Sequence, residues 1–182
     1  MYNTPEEAVK DFKFYFHAIK GYKAVPSKSV DPDTGKLKYN YFAISDNLVE
    51  QDYLDHLKKE NGLTPSPIFD TDQCCWGAID VDVYNWDDDK RFALLQTAIK
   101  LGLVPANSKS GGIHLWCFMK EDVPAKWMRN YLCWIRDELD LDPKTEIFPK
   151  QLEVKTDENG KEKYGNGITI PYRAFFLDPD AS

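Results

Sequence analysis

Positive charge is in short supply in this chain, with 23 Lys and Arg against 30 Asp and Glu and a formal net charge of -7. That balance excludes a protein that coats nucleic acid through a broad basic surface. It leaves room for a metal enzyme acting on nucleotides, because bound divalent ions cancel negative charge where phosphates approach. Cysteine is limited to Cys74, Cys75, Cys117 and Cys133. A zinc site wants a Cys-x₂₋₄-Cys pair matched by a second pair or by histidines, and none is present. Adjacent Cys74 and Cys75 on a strand would point to opposite faces, so buried thiols are expected and zinc is not. No apolar run is long enough to cross a bilayer and no signal peptide is recognisable, which predicts a cytoplasmic protein without a membrane partner. Internal repeats and low-complexity tails are also missing.

What is present suits a folded domain. Hydrophobic residues make up 42% of the 182 and aromatics 14%, enough for a core that buries roughly 70% of the unfolded surface. One domain over 1–182 is expected, with an N-terminal subregion over 1–70 and a motif-bearing core over 71–182. The proline-rich stretch near 64–68 marks the boundary between them. Thr4-Pro5-Glu6-Glu7 carries the signature of a helix start and predicts a helix to about residue 20, stopped by Gly21. A short strand over 22–25, a turn over 31–35 and a helix over 48–60 follow. Asp87-Asp88-Asp89 reads as the cap and first turn of a helix ending at Gly102.

Strands are expected at 104–107 and 113–119, and a helix starts at Pro124. On that helix Met128, Leu132, Ile135 and Leu139 form one stripe and Trp127, Tyr131 and Trp134 another; both are expected to pack in the core. The end of the chain reads as strand at 146–148 and 151–154, a turn at 157–160 and a returning strand at 168–171. Helices and strands alternate in the middle and hairpins close the end. The fold class is therefore α/β or α+β, a sheet with helices packed on it.

The most informative segment is Trp76-Gly77-Ala78-Ile79-Asp80-Val81-Asp82. Side chains alternate along a strand, so Asp80 and Asp82 project from one face of a β-branched run. Two anions that close repel unless a cation lies between them, and paired carboxylates are what Mg²⁺ or Mn²⁺ takes from a protein when phosphates supply the other ligands. The second segment is Ser108-Lys109-Ser110-Gly111-Gly112-Ile113-His114, where hydroxyls, backbone N–H groups and an ammonium converge before a histidine-bearing strand. Such a turn holds phosphate. Ser-Gly-Gly alone is a common turn, and a lone strand histidine is often a satisfied structural residue. The strand-helix-turn-strand context is what gives both a functional reading. In the third segment Glu146 could join Asp80 and Asp82, or could be a solvated strand end, and Lys150 could meet a phosphate.

In these segments the chain resembles the archaeo-eukaryotic primase superfamily, in particular the primase-polymerases of phages, plasmids and related mobile elements. The family's Asp-x-Asp strand is matched by Asp80 and Asp82, its Ser-Gly turn and His by Ser110, Gly111 and His114, and its third acidic position by Glu146. The segment over 165–172 is similar to the ending of the mobile-element branch. The resemblance implies an RRM-like catalytic core with a mixed, largely antiparallel sheet. It also implies a DNA-dependent nucleotidyltransferase that makes or extends primers in DNA replication. Asp80, Asp82 and Glu146 would hold two Mg²⁺ or Mn²⁺ ions, while Ser110, His114, Lys109, Gly111 and Lys150 would bind the nucleotide. Expected partners are single-stranded DNA template, ribo- or deoxynucleoside triphosphates and a helicase domain or protein, in the host cytoplasm if phage-encoded.

Many members carry Asp where Glu146 stands. The zinc element of cellular small primase subunits is not recognisable here, nor is a following helicase, so an excised catalytic domain is expected. The alternatives are a metal-dependent nuclease and a non-catalytic replication-initiation DNA-binding module of the same fold. Arg173 and the lysines of the first 40 residues are either template contacts or solvated surface, with solvated surface expected.

Overall fold

The computed structural model describes residues 2, 4–30, 37–82, 87–108 and 111–171. Helix α1 (Pro5–Tyr15) begins as the sequence predicts, with the Thr4 hydroxyl accepting from the Glu7 N–H at 3.3 Å and Pro5 in the first turn. It stops before residue 20. The Phe16 carbonyl accepts from the buried Tyr53 hydroxyl at 2.9 Å, and the Phe16 ring stands edge-on to Trp116, with centroids 4.9 Å apart. Gly21 opens strand β1 (Gly21–Val30), which runs past the expected 22–25 and pairs antiparallel with β2 (Leu37–Ala43), a strand the sequence did not predict. The turn expected over 31–35 lies outside the described residues.

Helix α2 (Glu50–Leu57) is shorter than the expected 48–60. Asp52 accepts from the Val49 N–H at 2.9 Å, and Lys59 at φ 64 takes the left-handed position just past the helix end. The proline-rich stretch is not simply a connection. Gly62–Pro65 forms β3, buried throughout and paired with β1, which completes a three-stranded sheet ordered β2-β1-β3.

The second sheet is built from β4 (Gln73–Val81), α3 (Asp88–Lys100), β5 (Val104–Asn107), β6 (Ile113–Pro124), α4 (Ala125–Glu138) and β7 (Glu146–Phe148). Its strand order is β5-β6-β4-β7 and every pairing is antiparallel. This β-α-β-β-α-β path is the split βαβ arrangement, so the architecture is α+β with an RRM-like four-stranded sheet. Asp87 caps α3 by accepting from the Lys90 N–H at 2.8 Å, and Gly102 at φ 82 follows its end. Strands β8 (Lys155–Thr156) and β9 (Glu162–Lys163) flank the expected turn, while 151–154 is not strand. The 168–171 segment is not strand either, although the Ile168 and Ile170 N–H groups donate to the Pro65 and Leu63 carbonyls of β3.

Alternation along β4, β6 and β7 divides the core in two. Ile79, Val81, Leu115 and Ile147 pack with Leu94 and Ala98 of α3 and Met128, Leu132 and Ile135 of α4. Trp76, Ala78, Trp116 and Phe148 face the other way, toward Val9, Phe12 and Tyr53 of α1 and α2. Cys74 belongs to the first cluster and Cys75 packs against the second, as neighbours on a strand should. Burial pushes the Cys74 thiol up to about 12 and the Cys117 thiol up to about 11. The second aromatic stripe of α4 departs from expectation, with Trp127 49% and Trp134 47% exposed. The Met128, Leu132 and Ile135 stripe faces the sheet with Tyr131 packed at its margin, and the two tryptophans stack on Tyr131, which lies 5.3 Å from Trp127 and 5.8 Å from Trp134. Among the described residues no helix is long and apolar enough to cross a membrane.

Candidate active site

The site is a consequence of strand register. Asp80 of β4 lies opposite His114 on one side and Glu146 on the other, and Ala106 of β5 continues the row beyond His114. Directly opposed residues of antiparallel strands share a face, with Cβ atoms roughly 4.5–5.5 Å apart. One row therefore crosses four strands as Ala106, His114, Asp80, Glu146. The row behind it is Val104, Trp116, Ala78, Phe148, so polar residues follow an apolar row without interruption. The small Ala106 leaves space beside the imidazole. Trp116 closes its inner side, edge-on at 5.5 Å between centroids.

Within the row His114 is buried, and its Nε2 stands 3.4 Å from Asp80 Oδ1, too long for a strong bond. His114 Nδ1 and Asp80 Oδ1 are buried without a hydrogen-bond partner among the described residues. Buried polar atoms are nearly always satisfied, so an orphaned pair in a cleft marks where a ligand belongs. Glu146 is occupied: its Oε1 accepts from the Lys150 ammonium at 2.6 Å. Arg129 of α4 fixes the backbone beside it, with Nη1 donating to the Ile147 and Pro149 carbonyls, each at 3.0 Å. Asp82 lies just past the end of β4 and is exposed.

The turn between β5 and β6 is held by the Ser108 N–H donating to the Gly112 carbonyl at 2.9 Å and the Gly111 N–H to the Ser108 carbonyl at 3.1 Å. Gly111 has φ 95, and a methyl group on Gly112 would lie 2.6 Å from the Val81 carbonyl oxygen. Glycine at 112 is what lets the turn lie against the end of the aspartate strand. Lys109 and Ser110, both expected in the phosphate site, lie outside the described residues, as does Arg173.

Asp80, His114, Glu146, Lys150 and Ser108 line one cleft of about 510 Å³. Its opposite wall is Tyr22, Tyr41 and Thr64 of the three-stranded sheet, and Asn166 to Thr169 form a third side. Thr64 and Thr169 share a hydrogen bond at 3.0 Å between their hydroxyls, and Gly167 is pressed so close to β3 that a methyl group would meet the Pro65 oxygen at 2.4 Å. Ser108 was expected in the phosphate turn, whereas Tyr22, Tyr41 and Thr64 were not singled out. The segment over 165–172, with Asn166 to Thr169 inside it, gave a signal, while the tyrosines reach the cleft through a sheet register invisible in the sequence.

The row brings Asp80, His114 and Glu146 together, with Asp82 two residues beyond Asp80. Among the described residues no group of three His, Cys, Asp or Glu side chains forms a ready-made cation cage. The donor chemistry nevertheless fits Mg²⁺ or Mn²⁺, since the carboxylate-bearing Asp80 and Glu146 are register neighbours and one Asp80 oxygen has no partner among the described residues.

The family described as the TOTE conflict system archaeo-eukaryotic primase domain matches residues 13–178. No curated protein matches the chain.

Proposed function

The chain belongs to the archaeo-eukaryotic primase family of TOTE conflict systems, and on that premise we propose that it is a DNA-dependent nucleotidyltransferase that makes or extends primers from nucleoside triphosphates on a single-stranded template. The observation that carries the reading is the row His114, Asp80, Glu146 at the floor of a cleft of about 510 Å³, with an Asp80 oxygen unsatisfied. That volume lies within the range of small-molecule sites, about 300–1,000 Å³.

In this reading Asp80, Asp82 and Glu146 hold two divalent ions, Mg²⁺ or Mn²⁺. When bound, such ions neutralise the transferring phosphate and lower the pKa of the attacking 3′-hydroxyl. His114 has a ring nitrogen without a partner among the described residues, and its N–H donates to a phosphate oxygen. The Ser108 turn, with Lys109, Ser110 and Gly111, wraps the triphosphate, and Gly112 lets it lie beside the carboxylates. The tyrosine wall opposite excludes water and borders the base and sugar. The product strand serves DNA replication, in the cytoplasm, with a helicase as the natural partner that supplies single-stranded template.

A primed single-stranded template incubated with nucleotides and Mn²⁺ tests the reading. Longer DNA is the expected product. Shortened DNA would make the protein a nuclease, and DNA of unchanged length, bound but not copied, would make it a non-catalytic module.

A further inference from the structure

The acidic side chain that would complete the cation site is already charge-paired. Lys150 lies with its ammonium 2.6 Å from Glu146 Oε1 and 5.0 Å from the centre of the Phe148 ring, at the edge of the cleft that Asp80 and His114 also line. Two facts make this more than a surface ion pair. Glu146 and Asp80 are direct register partners, so two carboxylates face each other across adjacent strands and need a positive charge between or beside them. The Glu146 backbone is also pinned, because Arg129 holds the carbonyls of Ile147 and Pro149. The Glu146 backbone therefore stays in register with Asp80, whereas the Lys150 ammonium can swing on four methylenes.

A divalent ion and an ammonium compete for the same carboxylate oxygen. We propose that Lys150 is a resident counter-cation, which holds Glu146 neutralised and in place until a divalent ion displaces it, and which then moves its charge-assisted hydrogen bonds to the incoming triphosphate. The inference rests on the reading of Asp80, Asp82 and Glu146 as the cation site. Its consequence is a coupling between ligands. Triphosphate that takes Lys150 frees Glu146 for the ion, and by linkage the ion must favour triphosphate to the same degree.

Binding of Mn²⁺ to the chain without nucleotide, read from the resonance of free Mn²⁺, tests this apart from activity. Triphosphate binding in Mn²⁺ is followed by tryptophan fluorescence, since Trp116 packs against His114. Lys150→Met is expected to bind Mn²⁺ about 3-fold more tightly than wild type, the scale of a partly exposed ion pair, and triphosphate about 10-fold more weakly. Lys150→Arg, which keeps the charge, should leave Mn²⁺ affinity near wild type. Unchanged or weaker Mn²⁺ binding in Lys150→Met, with wild type still binding more tightly than an Asp80→Asn, Asp82→Asn protein, overturns the counter-cation and leaves the cation site standing. Wild-type binding no tighter than that double variant removes the cation site itself, and the counter-cation with it.

Discussion

On the side of the four-stranded sheet facing α3 and α4, Ile79 and Val81, Ile113 and Leu115, and Ile147 are all buried and apolar. On the opposite side the same strands carry Trp116, Ala78 and Phe148 in one row and His114, Asp80 and Glu146 in the next. The strands and the hydrogen-bond ladder are shared, and only the parity of the residue number differs. Parity therefore separates what holds the sheet together from what can act on a ligand. The unsatisfied atoms fall accordingly: Asp80 Oδ1 and His114 Nδ1 belong to the second side, whereas on the first side Asn107, at the edge strand β5, accepts from Arg91 of α3 at 2.8 Å.

Substitutions on one side should leave the property of the other untouched. The largest effect is expected from Asp80→Ala combined with Asp82→Ala, which should lower nucleotide incorporation at least about 10³-fold while thermal unfolding stays near wild type. Incorporation at full rate would refute the cation assignment. Leu132→Ala, on the helix side and fully buried, should cost about 2–5 kcal/mol in urea unfolding with kcat per folded molecule unchanged. A large loss of kcat at matched folded fraction would mean that the two sides are coupled.

His114→Ala should raise the nucleotide KM and lower kcat, together about 10–100-fold in kcat/KM. Unchanged kinetics would take the imidazole out of the phosphate site. The smallest effect concerns the buried thiols. Cys74 and Cys117 are held near 12 and 11 by burial, whereas an unfolded thiol ionises near 8.5. Above that pH the unfolded chain binds fewer protons than the folded one, so stability falls as pH rises. A loss of about 1 kcal/mol per thiol between pH 8.5 and 9.5 is expected, and a Cys74→Ala, Cys117→Ala variant should lose the share of those two while keeping that of Cys75, which is also pushed up to about 11. A slope equal in both proteins would assign it to other groups.

The elements legible in the sequence were those with local, self-contained signals. The Thr4 and Asp87 caps, the end of α3 before Gly102 and the β5 bounds needed nothing beyond neighbouring residues. The aspartate strand was readable because a β-branched run interrupted by Asp has little other physical sense. Long-range pairing was not readable. Strand β2 mixes lysine, asparagine and tyrosine and becomes a strand only by pairing with β1, and β3 hides behind Pro65 at its end. Tyr22 and Tyr41 line the cleft for the same reason. The Trp127 and Trp134 stripe was misread because helical periodicity says which residues share a face, not how much of the helix the sheet is wide enough to cover. Glu146 was found by its place in a family motif, and its Lys150 partner only as a neighbour four residues on.

The hydroxyl bond between Thr64 and Thr169 joins positions 105 residues apart. During translation the aspartate strand and its histidine neighbour leave the ribosome well before Asn166 to Thr169 can seat against β3. A nascent chain stalled short of Gly165 would expose its acidic row as an open trough and should not retain a nucleotide. Competence thus waits on a segment made some 50 residues after the histidine strand.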